Sequence, residues 1–226
     1  MLDRRQRYPS TAGRRLIRIL NLVVAVAGIV VTAPLMLLIG VVVALTSRGP
    51  ILYRQQRVGR DRRQYSGPGT DNGKRSVNAG GQLFTMYKFR SMTYRPQAGR
   101  GREVWARPQD PRITAAGSLL RKHRLDELPQ LFNVLRGDMN VVGPRPEQPA
   151  LFRELRTQVD GYARRQSVLP GITGWAQVNH PYDRSLDDVK KKVALDLEYL
   201  RDRSPMEDLR IMARTVPVMV GKRGAL

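Results

Sequence analysis

Cysteine is absent from the 226-residue chain, and histidine occurs only as His123 and His180. These absences exclude a disulfide framework, a thiol nucleophile, a cysteine-based zinc site and a histidine-rich metal centre. Aromatic residues make up only 6% of the chain. No RNA-binding aromatic strand signature, zinc-finger spacing or basic zipper is present. Acidic residues are also few, 19 against 40 lysines and arginines, for a formal charge of +21. A charge of that size requires an anionic partner: nucleic acid, acidic lipid headgroups or phosphorylated substrates. With no recognition motif behind it, a membrane-anchored polyanion or nucleic-acid binder is the alternative reading.

Charge is missing altogether from Ile19 to Thr46, whose only polar side chains are Asn21, Thr32 and Thr46. An apolar run of this length is a membrane segment. It is too long for a cleaved signal peptide and shows no small-residue cleavage site. Arg14, Arg15 and Arg18 precede it, and Arg48, Arg54 and Arg57 follow it. Basic residues mark cytoplasmic flanks, so neither end reads as external. Pro34 lies midway and removes a donor from the helical ladder. Each half is roughly 18–22 Å long at the helical rise, short of a hydrocarbon core of about 30 Å. The expectation is a re-entrant helix over 14–47, broken at Ala33–Pro34, with a kinked spanning helix as the alternative. The basic flanks suit anionic membrane lipids.

Around this segment the chain divides into a basic tail, 1–13, and one compact domain, 48–226, of a size that buries its own core. A Gly-, Ser- and Asn-rich stretch, 64–81, reads as a flexible insertion. Ile51–Val58 and Leu83–Met92 are expected strands, and alternation puts Lys88 and Arg90 on one face of the second. Ser118–Arg124 and the segment from Pro129 to a stop at Gly137 are expected helices, with Asp126 and Glu127 between them. Pro149–Asp160 is an expected helix, and Leu169–Asn179 a packed loop. Leu186, Val189, Val193, Leu197 and Leu200 recur at helical spacing. Ser204 caps a last helix whose apolar side docks on the domain or lies in a bilayer interface.

The charged residues point to phosphate chemistry. Cations stand on a strand (Lys88, Arg90), on a helix (Arg121) and in a loop stiffened by two prolines (Arg145). Guanidinium forks bind phosphate oxygens bidentately. Phosphoryl transfer needs such cations, a magnesium ion and a placed nucleophile. A carboxylate serves as nucleophile by forming an acyl phosphate, and a second one suits Mg²⁺. The same cations are expected to keep Asp126 ionised.

Four motifs carry a family resemblance: Tyr87-Lys-Phe-Arg-Ser-Met92, Leu125-Asp-Glu-Leu-Pro-Gln-Leu131, the segment Gly137 to Glu147 containing Gly-Pro-Arg-Pro, and Pro170-Gly-Ile-Thr-Gly-Trp-Ala-Gln-Val-Asn179. In this order they closely resemble the bacterial sugar transferase family, the monotopic phosphoglycosyl transferases. The resemblance implies a helix-rich α/β fold, more closely α+β, with a re-entrant membrane hairpin, a small sheet and amphipathic interfacial helices. It implies transfer of a sugar phosphate from a nucleoside-diphosphate sugar, usually a UDP-sugar, to polyprenol phosphate. The products are polyprenyl-diphosphate-sugar and UMP, the first membrane step of exopolysaccharide, O-antigen, capsule or glycoprotein glycan assembly. By the motif match Asp126 is the nucleophile and Glu127 holds Mg²⁺. Lys88, Arg90, Arg121, Arg145 and Asp208 match substrate or phosphate contacts. The implied location is the cytoplasmic face of the bacterial inner membrane, and a homodimer is left open. Three features depart from the pattern. Ala33-Pro34 replaces Ser-Pro, Asn21 replaces an Asp and puts an ion pair with Arg18 in doubt, and the 64–81 stretch is longer than usual.

Overall fold

The computed structural model describes residues 10–61, 81–94, 110–180 and 185–220. The 64–81 insertion, Gly81 apart, lies outside the described residues, as does most of the basic tail.

Helix α1 (Thr11–Thr46) starts at Ser10, whose side chain accepts from the Gly13 N–H at 3.1 Å. Its buried residues, Ile17, Asn21, Ala25, Ile39 and Val43, form one stripe. Val30, Val31, Leu37, Leu38 and Leu45 are exposed apolar residues. The helix is long and apolar enough to cross a membrane. At the expected break, Ala33–Pro34, helical backbone continues through both residues, so any change of direction at Pro34 is a kink within one helix. The lost donor is local, and just before it Thr32 Oγ1 bonds the Gly28 carbonyl at 2.6 Å, a back-bond that favours bending of the helix.

Both ends of α1 are fastened to the rest of the fold. Arg18 donates to the carbonyls of Val134 (2.9 Å) and Leu135 (3.2 Å), capping the last turn of α3 (Gln130–Arg136). Asn21 accepts from the Val141 N–H and donates to the Ile17 carbonyl at 2.7 Å. The neutral residue at the usual Asp position thus satisfies a strand donor, while Arg18 is satisfied elsewhere. At the other end, Arg90 bonds the carbonyls of Val43, Ser47 and Pro50.

The domain is built on two small strand pairs. Strands β1 (Leu52–Val58) and β2 (Leu83–Phe89) pair antiparallel, from Leu52↔Phe89 to Val58↔Leu83. Helix α2 (Ala115–Lys122) follows, capped by Thr114. A 3₁₀ turn, Leu125–Glu127, then leads into α3, which stops at Gly137 in the left-handed region (φ 87°). Strand β3 (Asn140–Val142) crosses through α4 (Pro149–Gln158) and a 3₁₀ segment, Tyr162–Ser167, to the parallel strand β4 (Gly171–Thr173). The expected loop 169–179 is therefore corrected to β4 plus α5 (Trp175–Asn179). A three-residue strand is too short to show alternation. Its glycine is required by close approach, because a Cβ on Gly171 would overlap the backbone N of Gly143. Helices α6 (Leu186–Asp202) and α7 (Pro205–Val220) complete the fold.

Three apolar clusters form the interior. The largest joins Phe84, Met86, Val134, Met139, Tyr199 and Ile211 and includes Ala25 of α1. A second gathers Val58, Phe152, Leu155, Tyr162, Val189 and Val193. The third places Ile39 and Val43 of α1 against Phe89 and Leu120. On α7 the buried residues are Asp208 and Ile211, whereas Met206, Leu209 and Val216 face outward.

Candidate active site

The acidic pair is presented by a strained turn. Arg124, before the 3₁₀ turn, adopts φ 54°, the one positive φ outside glycine among the described residues. Asp126 and Glu127 are both buried. Asn133 on α3 holds this region to β2, accepting from the Tyr87 N–H at 3.1 Å and donating to the Thr85 carbonyl at 2.7 Å. That brings Lys88 over the turn, where its Nζ donates to Glu127 Oε1 at 2.9 Å. From the loop after β3, Arg145 Nη2 donates to the same oxygen at 2.7 Å, and Nη1 approaches Oε2 at 3.5 Å. Nη1 also donates to Gln177 Oε1 on α5 at 3.1 Å.

The two carboxylates differ sharply. Burial alone would push the Glu127 carboxyl up, but Arg145 and Lys88 outweigh it and hold it far below the usual range. For Asp126 burial wins: its carboxyl is pushed up, with Lys88, Arg145 and Arg121 pulling down and Glu127 adding to the rise. The cations thus act on Asp126 through their field, as expected, but their hydrogen bonds go elsewhere. They bond Glu127, and no described side chain donates a hydrogen bond to Asp126. The result is one carboxylate neutralised by two cations beside a second that is buried and, among the described residues, accepts no side-chain hydrogen bond.

Lys88, Arg121, Asp126, Glu127 and Arg145 are therefore brought together, with Arg121 acting through its field at the end of α2. Two expected contacts are not. Arg90 is corrected from phosphate contact to helix cap: β2 ends at Phe89, alternation ends with it, and the buried guanidinium turns onto the α1 carbonyls. Asp208 is likewise corrected. It is fully buried on the inner side of α7, where Oδ1 accepts the Tyr199 hydroxyl at 2.7 Å, and burial raises it to about 6. Its link to the site is indirect, since Tyr199 also reaches the Val142 carbonyl at 3.4 Å, at the end of β3.

Sequence reasoning missed Gln177, although it stands inside a quoted motif. It also missed a buried ionic group behind the Arg145 loop: Arg165, Glu147, Lys192 and Asp196. Lys192 and Asp196 lie among the charges of an amphipathic helix, where a sequence gives no sign that they turn inward. Burial pushes the Glu147 carboxyl up, but Lys192 and Arg165 reverse this and hold it at about 2.

A cationic cradle around a two-carboxylate turn, behind a long apolar helix, is what the motif match leads one to expect. The model for bacterial sugar transferases matches residues 12–68 and 72–222, which include every residue of the site. The chain belongs to the bacterial sugar transferase family. Among bacterial sugar transferases, it is 36% identical over 206 residues to the UDP-N-acetylgalactosamine-undecaprenyl-phosphate N-acetylgalactosaminephosphotransferase of Aeromonas hydrophila, covering 91% of this chain and 44% of that protein. It is 36% identical over 209 residues to the UDP-glucose:undecaprenyl-phosphate glucose-1-phosphate transferase of Escherichia coli K12, covering 92% of this chain and 40% of that protein. A protein of the same name from Caulobacter vibrioides is 36% identical over 211 residues, with 90% of this chain and 69% of that protein covered. The chain thus spans less than half the length of the first two relatives.

Proposed function

We propose that this sugar transferase moves a sugar 1-phosphate from a UDP-sugar to undecaprenyl phosphate or a similar polyprenol phosphate. The observation that carries the reading is the free Asp126 carboxylate beside a Glu127 clamped by Lys88 and Arg145. In the proposed first step, an Asp126 oxygen attacks the sugar-bearing phosphorus. A phosphorus–oxygen bond forms, the bond to the nucleotide breaks, and UMP leaves. In the second step, a lipid phosphate oxygen attacks the same phosphorus, and Asp126 leaves as a carboxylate. Lys88, Arg121 and Arg145 supply positive charge for the equatorial oxygens.

The residues present also suit Mg²⁺. Among the described residues no cluster of three or more metal-ligating side chains occurs. Magnesium, however, takes one or two carboxylates and completes its shell with phosphate oxygens and water. Glu127 Oε2 meets only a long 3.5 Å contact, so Glu127 is the residue to hold the ion. Bound there, Mg²⁺ would neutralise charge on the transferring phosphate.

The proposed setting is the cytoplasmic face of a bacterial inner membrane, with α1 entering and returning on one side. Arg18 and Ser47 are 29 positions apart in sequence (47 less 18), or ~43 Å along a straight helix. Yet both are hydrogen-bonded to the same domain. A spanning helix would need that domain on both sides of the bilayer. Basic residues at both ends and Pro34 midway support the same topology. The exposed Met206, Leu209 and Val216 give α7 an apolar face suited to the interface. Cysteines placed at Arg7 and Arg54 should be labelled only from the inner face, and labelling of Arg7→Cys from outside would sink the re-entrant topology.

The test of the chemistry is incubation with donor alone. UDP-glucose and UDP-N-acetylgalactosamine head the panel, since relatives carry those sugars in their names. The protein should gain the mass of one sugar phosphate, on the peptide holding Asp126, with release of UMP. Asp126→Asn should abolish both. Sequential kinetics with no trapped adduct would replace the covalent route by direct attack of the lipid phosphate.

A further inference from the structure

The loop carrying Arg145 is pinned from more directions than a surface turn requires. Pro144 and Pro146 restrict φ on either side and carry no N–H. Four successive carbonyls each accept a donor from elsewhere in the fold. Pro144 O takes the Gly171 N–H at 3.0 Å, and Glu147 O takes the Val58 N–H at 2.9 Å. Pro146 O takes Arg57 Nη1 at 3.2 Å. The carbonyl of Arg145 itself takes Nη2 of Arg165 at 3.1 Å.

Arg165 is an unusual donor, because its side chain is 0% exposed. Its Nε donates to Asp196 at 2.6 Å, and Nη1 lies 3.7 Å from Glu147 Oε1. The guanidinium stacks 5.0 Å from the Tyr162 ring, and Lys192 completes the group by donating to Glu147 at 2.7 Å. Buried ion clusters are weak sources of stability, and apolar residues of similar volume often do as well. An apolar residue would not supply a rigid fork that binds an acid with one edge and the main chain of Arg145 with another. We propose that Arg165 is a positioning residue: it fixes the backbone of Arg145 so that the Arg145 fork meets the donor phosphate in one orientation. The inference rests on Arg145 contacting phosphate, as in the proposed function.

The test is a double-mutant cycle of Arg165→Lys and Arg145→Lys in the full chain in lipid nanodiscs. It is read as donor kcat and KM alongside thermal unfolding. Misplacement of a catalytic group by about 1 Å costs on the order of 10²-fold. Arg165→Lys should therefore lower kcat/KM by about 10- to 100-fold when Arg145 is present. It should lower it less than about threefold when position 145 is lysine, which has no fork to aim. Equal losses in both backgrounds would mean a merely structural role and overturn the proposal, as would wild-type kinetics for Arg165→Lys. If Arg165→Lys does not fold, Asp196→Asn loosens only the Nε anchor, and the same outcomes decide. An Arg145→Lys variant as active as wild type would remove the premise and the proposal with it. Absence of UMP release by wild type with every donor would fail the functional reading alone. The cycle is then read as affinity for uridine diphosphate by calorimetry, with the same two outcomes.

Discussion

Replacing Arg90 by lysine separates a phosphate contact from a helix clamp. The guanidinium makes four hydrogen bonds: to Pro50 O (2.6 Å), Val43 O (3.1 Å), Ser47 O (2.5 Å) and Ser47 Oγ (2.9 Å). Lysine keeps the charge but cannot spread its donors across the end of α1, so at least two of these bonds are lost. Hydrogen bonds involving a charged group contribute about 1.5–3 kcal/mol each, so losing two costs about 3–6 kcal/mol. At about 2–4 °C per kcal/mol for a chain of this size, the unfolding midpoint should fall by about 6–24 °C. The assay is thermal unfolding in nanodiscs, paired with donor KM well below the midpoint. KM should stay within about twofold, because the buried guanidinium does not reach the site. An unchanged midpoint with a KM raised about tenfold would mean Arg90 turns to phosphate, and the clamp would be wrong.

Asp208→Asn should change how stability depends on pH. The Asp208 carboxyl sits at about 6 in the fold, against about 3.9 unfolded, so the folded state holds the proton longer. Stability then declines as pH rises from about 4 to about 6 and levels off above, a loss of about 2–3 kcal/mol. The Asn variant should lack that slope in midpoints measured from pH 4 to 7, and an unchanged slope would assign it to another group. Asn21→Leu should leave the Val141 N–H without an acceptor and cost about 1–3 kcal/mol, read by denaturant unfolding. A cost near zero would show that this contact does not anchor α1. Because burial raises Asp126, the acid limb of UMP release without lipid should lie above the ordinary aspartate value of about 3.9. A limb below that value would contradict the environment described for Asp126.

Elements with a strong local signal were legible in the sequence. The apolar length of α1, the alternation in β2, the spacing in α6 and the Gly137 stop each announced themselves. The Arg145 loop was legible because two prolines fix its backbone locally, whereas Asp126 and Glu127 stood out from ordinary helix-capping carboxylates only through the motif match. What escaped depends on contacts far apart in the chain. Strands β3 and β4 are three residues each, held by parallel pairing and a glycine-only approach that periodicity does not record. Arg90 looked like Lys88 because both follow the strand's alternation, and only the end of β2 separates them. The same limit concealed Lys192 and Asp196, whose partners Glu147 and Arg165 lie 45 and 31 residues away.

The fastening of α1 has a practical consequence. A helix that supplies Ala25 to one apolar cluster and Ile39 and Val43 to another is a wall of the building, with exposed apolar side chains on its outer side. Cutting the chain after Ser47 would not release a soluble enzyme. It would uncap α3, orphan a strand donor and leave the Arg90 guanidinium facing an apolar hole. The wall also works as a ruler. Arg90, which grips the exit of the helix, is two residues from Lys88, which grips the dyad. In the proposed topology the Asp126–Glu127 turn is thereby held at a fixed height above the exit of α1, where a lipid-borne phosphate would meet it.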